Sequence, residues 1–114
     1  MIRLALLAAA LPLLVAAGTE QETLADAQCM TALALVASDK ESDEAATAQV
    51  AMMYYMGRLD ARVPQADLKG LLFKVGTELK PDEIGPILRR CGALLQERGA
   101  AYQEIGRAMI AAGK

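Results

Sequence analysis

The chain has 114 residues, 12 of them basic and 14 acidic, with no histidine and a formal net charge of −2 at pH 7. That length holds one domain, and the missing imidazole removes the commonest general base and zinc ligand, together with the side chain that normally titrates near neutrality. Charge is unevenly divided, with one basic residue against seven acids from Gly18 to Gly57 and ten against seven from Arg58 to Lys114; neither part carries the dense basic stripe that attracts nucleic acid, and no such partner is expected.

Met1-Ile2-Arg3 is a short, positively charged start, and Leu4 to Val15 is apolar apart from Pro12. Val15-Ala16-Ala17 then supplies the small residues of an export cleavage site, and the apolar run is too short to span a bilayer comfortably. The expectation is a signal peptide over residues 1–17, a helical domain over residues 18–114, and no stable membrane span after cleavage. Cys29 follows Asp26-Ala27-Gln28 rather than small residues, which argues against a lipid anchor. In an oxidising compartment Cys29 and Cys91, the two cysteines of the chain, are expected to be joined.

Four helices follow from apolar periodicity, and no stretch alternates with period two for long enough to argue a strand. The first is expected from about Glu20 to Ala37, with Cys29, Leu33 and Val36 on one face. Ser38 to Glu44 is a polar break in which Ser42 can cap the second helix, with Asp43 and Glu44 in its first turn. Asp39, Glu41, Asp43 and Glu44 do not make a calcium loop, because the glycine and the terminal bidentate glutamate are missing. Helix two reaches about Arg62 and is stopped by Pro64. Helix three begins near Ala66 with a stripe of Leu68, Leu71, Leu72, Val75 and Leu79. The last helix is expected to be regular from Pro86, with Leu88, Cys91, Leu95, Tyr102, Ile105 and Met109 at alternating three-and-four spacing, interrupted by Arg98. The fold class is all-α, a small four-helix bundle stapled by one disulfide between its first and last helices.

Three local patterns bear on function. Met52 to Met56 covers the whole circumference of helix two, so Val50, Met53, Tyr54 and Gly57 make one stripe, expected to face the core, and Met52, Tyr55, Met56 and Leu59 make another. Either the helix is central and buried on both sides, or the second stripe is an adaptable surface, since methionine and tyrosine suit irregular apolar contacts. Met52, Tyr55, Met56 and Leu59 are therefore the candidate partner surface. Arg58 and Arg62 sit at a helix C-terminus, where the macrodipole accounts for them without a ligand. Gly85, Gly92, Gly99, Gly106 and Gly113 recur every seven residues along the last helix and would let another backbone, such as the alanine-rich first helix, approach closely.

Met53-Tyr54-Tyr55-Met56-Gly57-Arg58-Leu59-Asp60-Ala61-Arg62 and Arg90-Cys91-Gly92-Ala93-Leu94-Leu95-Gln96-Glu97-Arg98-Gly99, together with Cys29, resemble a group of short, uncharacterised exported proteins of Gram-negative bacteria. In layout the chain is also similar to the HdeA-type periplasmic acid-stress chaperones, which are small, helical, histidine-poor and clipped by one disulfide. The first resemblance implies a periplasmic location and brings no activity with it; the second implies an acid-stress holdase. No motif for catalysis, cofactor or metal is present, and pairs such as Asp60 with Glu78 or Asp82 with Glu83 have no pattern that sets them apart from surface charge. The expected function is non-catalytic, through protein or envelope contacts, with another envelope protein as the partner; the alternative is the holdase.

Overall fold

The computed structural model describes residues 11–113, and for residues 11–19 the backbone alone. Of the expected signal peptide, residues 1–10 lie outside the described residues, and its remaining residues belong to the first turns of α1 (Leu11–Ser38). Then come α2 (Ala45–Asp60), α3 (Gln65–Glu78) and α4 (Pro81–Ala111), and the described residues include no strand. The all-helical, disulfide-linked bundle expected from periodicity is the observed architecture.

Punctuation between the helices is local chemistry. Ser42 accepts a bond from the Glu44 backbone N–H at 3.2 Å, but α2 starts at Ala45 with Glu44 as its N-cap, so the hydroxyl orders the turn three residues ahead of the helix instead of capping it, and Asp43 and Glu44 stand outside the first turn. Pro64 stands immediately before α3 with extended geometry, which ends the preceding segment and starts the next. α4 begins at Pro81 rather than Pro86, because a proline at the first helical position has no intrahelical N–H to lose, and Asp82 and Glu83 then meet the positive end of the dipole. Pro86 is carried inside the helix. Gly113, at φ +74°, turns the chain out of α4 in the left-handed geometry that suits glycine.

The central helix is α1, which makes the extensive packing contacts with each of the other three. Helix two had been a candidate for that place; the reason α1 holds it is its small side chains, since Ala27 and Ala32 are fully buried and let neighbouring helices approach closely. One core cluster gathers Cys29, Ala32, Leu33, Ala48, Tyr55, Ile87 and Cys91 between α1, α2 and α4. A second joins Ala27, Leu59 and Val75, with Leu68, Leu71 and Leu72 of the α3 stripe packed around it. Met30 and Leu79 touch both clusters.

Cys29 and Cys91 are bonded, with Cα atoms 5.7 Å apart, and the bond ties α1 to α4 across the first cluster. Their separation of 62 residues makes the closed loop long; on the chain-entropy account such a crosslink contributes about 4 kcal/mol, a large share of the net stability of a domain this small.

The glycine series does not pack against α1. A methyl group built at Gly92, Gly99 or Gly106 would meet nothing within 4 Å, and at Gly85 it would meet only the Arg89 guanidinium at 3.6 Å. At the bundle end the reason is rotation, since Ile87 and Cys91 are the α4 residues buried in the first cluster and Gly85 and Gly92 fall beside that face; further along it is reach. α4 has 31 residues and α2 has 16, so at about 1.5 Å per residue α4 runs roughly 20 Å beyond what α2 can cover.

Candidate functional site

The two stripes of α2 are oriented the opposite way to expectation. Tyr55 and Leu59 are fully buried, Met52 lies half-buried against the first cluster, and Met56 is exposed. Val50 and Met53, expected inside, are each 69% exposed. The four residues Met52, Tyr55, Met56 and Leu59 thus form no single exposed surface; the stripe is divided between core and solvent.

Polar anchors set this rotation. Asp26 on α1 is buried, and a buried carboxylate is costly unless paired. Arg58 Nε donates to Asp26 Oδ2 at 2.9 Å, and Arg62 Nη2 donates to the same oxygen. Arg62 also lies 3.5 Å from Glu22. Turning residues 58 and 62 toward α1 necessarily turns 55 and 59 inward, because these pairs share a helix face. The Asp26 hydrogen bond is the main reason the Arg58 guanidinium is held well above its ordinary range. Arg58 Nη1 further donates to the Tyr54 hydroxyl at 3.3 Å and lies over the Tyr54 ring. The arginines therefore have an internal anion, and the macrodipole alone does not account for them. Signals for this partnership were absent from periodicity, since Asp26 lies 32 and 36 residues away from its two partners.

Tyr55 closes the other side. Its hydroxyl donates to the Cys91 carbonyl oxygen at 2.9 Å, linking α2 to the residue that carries the disulfide. Burial, then the charge of Asp26, pushes the phenol up from its ordinary value near 10 to about 12. Arg90 Nη2 reaches from α4 to the Ala25 carbonyl oxygen and the Gln28 side chain of α1 at 3.2 and 3.1 Å. These polar contacts serve the fold, and they fix where the apolar surface is left.

That surface has two parts. On α4, Ile87 and Cys91 are buried, and Ile84, Leu88, Leu94 and Leu95 pack against the first cluster. The same spacing then continues into Tyr102, Ile105 and Met109, which with Ile110 are exposed at 69, 54, 54 and 78%. Beside the root of this arm, α2 and α4 stand apart over a floor of Leu33 and Val36, leaving a groove of about 410 Å³ whose walls include Ala48, Ala51, Leu88 and Leu95. A separate apolar groove of about 370 Å³ runs between α1 and α3, lined by Met30, Ala34, Leu72, Phe73 and Gly76. The arm was not singled out from the sequence, where Tyr102, Ile105 and Met109 read as a continuation of the core stripe; the mismatch in helix lengths is the signal that could have found it.

Glu78 and Glu83 line a depression of about 180 Å³ with Leu24, Gln28, Val75 and Leu79, while Asp60 and Asp82 are exposed elsewhere. Among the described residues no group of three His, Cys, Asp or Glu side chains is placed to hold a metal ion, and no helix is long and apolar enough to cross a membrane. Comparison with known protein families, with curated proteins and with solved structures finds no match in any of the three.

Proposed function

We propose that this is an exported, non-catalytic helical protein of the periplasm that works by contact with another envelope protein. The observation that carries the reading is the distal part of α4, where the apolar repeat of a core helix continues through Tyr102, Ile105 and Met109 into solvent. Three large apolar side chains on one unpartnered helix face are a surface to be covered, since contiguous exposed apolar patches mark interaction sites. The disulfide supports the export half of the reading, because such bonds persist in oxidising compartments.

The test is capture from an envelope fraction with the purified, oxidised chain, at neutral and at acid pH, comparing the native protein with Ile105→Glu. Loss of the captured protein in the variant, at unchanged melting temperature, supports the reading. Equal capture by both means that contacts are made elsewhere.

A holdase role in acid is the second reading, and Asp26 is what favours it. Arg58 and Arg62 converge on this one carboxylate, so the seam of α1 and α2 rests on a single anion, and the net positive charge that a chain acquires in strong acid pushes against it. Opening that seam would expose Tyr55 and Leu59. Suppression of client aggregation in acid, absent at neutral pH, would favour this reading; no suppression at either pH would remove it.

A further inference from the structure

We propose that the distal arm of α4 is covered by a second copy of this chain, the two α4 helices running antiparallel about a twofold axis so that each arm lies along the groove between α2 and α4 of its partner. The inference rests on the reading of the arm as an interaction surface and names what covers it.

Register is the first argument. Leu88, Leu95, Tyr102 and Met109 recur every seven residues, and so do Cys91, Arg98, Ile105 and Ala112 three positions further on, the repeat of a left-handed helix pair. An antiparallel pair stacks members of one series against the other. With the axis passing beside Ala100, Leu95 meets Ile105 of the second copy, Leu88 meets Ala112, and Met109 reaches the level of Cys91 inside the groove. The same register sets Arg98 against Tyr102 on both sides of the axis. Arg98 is the one residue that breaks the apolar seam, and an arginine over a tyrosine face is an attractive contact. Shape agrees with this register. The positions flanking the seam nearest the axis are Gly99 and Ala101, each opposite its own copy, and among the described residues nothing lies within 4 Å of a methyl group built at Gly92, Gly99 or Gly106. The glycines that α1 does not use are where a partner helix would come closest.

Charge and extent are the second argument. From Leu88 to Gly113 there are four basic and two acidic residues, and from Asp39 to Asp60, which includes the α2 wall that the arriving helix would meet, five acidic and two basic. The contact runs from Leu88 to Ala112, roughly 37 Å of helix. Twofold symmetry doubles the arm-in-groove contact, so that side chains from two arms and two grooves contribute, as befits a self-complementary dimer interface. Left alone, the arm is a segment of about four turns with two glycines, and helices of that length are marginal in water without packing on their apolar face.

The experiment is sedimentation of the oxidised chain from low micromolar to hundreds of micromolar, for the native protein and for Ile105→Glu, with thiol cross-linking of Ala101→Cys and Ile105→Cys. The native chain should pass from monomer to dimer across that range, and Ile105→Glu should stay monomeric with an unchanged melting temperature. Ala101→Cys should give a covalent dimer, since it faces its own copy, whereas Ile105→Cys should not, since it faces Leu95. Cross-linking through Ile105→Cys but not Ala101→Cys would mean a parallel seam and would overturn the arm-in-groove arrangement. A monomer at every concentration would overturn the second copy as occupant. If Ile105→Glu then still abolished capture from the envelope fraction, the proposed function would stand without this inference; if it changed neither measurement, both would fall.

Discussion

The two parts of α4 carry one repeat and meet different surroundings. From Pro81 to Leu95 its apolar face packs on the first cluster, open only at the groove that Leu88 and Leu95 wall, and is locked by the Cys29–Cys91 bond and by the Tyr55 hydroxyl on the Cys91 carbonyl. From Gln96 to Ala111 the same face has nothing over it among the described residues, and the described ion pair there, Arg107 with Glu104, is exposed and local to the helix. A seven-residue repeat states which side of a helix is apolar; how far that side is covered depends on the lengths of its neighbours. Perturbations of equal chemical size should therefore differ sharply according to where on α4 they act.

Reduction should have the largest effect. Opening Cys29–Cys91 releases a long loop, and the loss expected is about 4 kcal/mol, read as a fall in the urea midpoint on adding reductant. The arm should hardly notice, because it takes no part in the core that the bond closes. A reduced protein with an unchanged midpoint would break the claim that the bundle end depends on this bond.

Next is the buried carboxylate. Asp26→Asn leaves Arg58 and Arg62 without their shared anion at a packed seam, and removing one partner of such a pair costs about 3 kcal/mol. Glu104→Gln removes the corresponding anion on the arm, where both partners are exposed and no measurable loss is expected. The pair of melting curves sharpens the comparison, because the chemistry changed is nearly the same.

How much of this was legible in the sequence depended on what kind of signal each feature leaves. Cys29 and Cys91 fall on apolar stripes of a chain whose first residues read as an export signal, so their bond could be foreseen. The four helices are visible in the spacing of leucines and in Pro64, while two starts are displaced, that of α2 because Ser42 works in the preceding turn and that of α4 because Pro86 is carried inside a helix that begins at Pro81. α2 is different: Val50-Met53-Tyr54-Gly57 and Met52-Tyr55-Met56-Leu59 have the same spacing and similar hydrophobicity, so periodicity cannot rank them. The tie is broken by Asp26, an ion-pair partner on another helix, which no local pattern announces. For the same reason the candidate surface on α2 could not be oriented, and the arm on α4 read as core.

Alkaline pH probes the α2–α4 contact with a smaller effect. Tyr55 is raised from near 10 to about 12, so the folded state holds the phenol proton more tightly than the unfolded chain. The stability from this group is full below pH 10 and is lost as pH rises toward 12, by roughly 2–3 kcal/mol. Tyr55→Phe should flatten that part of the stability profile while costing about 1 kcal/mol at neutral pH, because the Cys91 carbonyl oxygen loses its donor. A profile with the same alkaline slope in both proteins would show that the loss comes from other groups.

The smallest effect separates the arm from the bundle most cleanly. Close packing of the glycine face on α1 would have made Gly99→Leu an overpacking change; with open space at that position, leucine instead improves helix propensity by about 0.5–1 kcal/mol. Because the arm makes no core contacts, the gain belongs to a segment that can open on its own, and it should appear as slower amide exchange around residues 98–110 with little change in the global melting temperature. In the antiparallel pair the same leucine would stand against its own copy at the axis, so dimerisation should weaken while the arm itself becomes more helical. A variant with slower exchange and undiminished dimer would keep the open face and remove the axis from Gly99. A variant that lowers the global melting temperature would show that the face is covered within the chain after all.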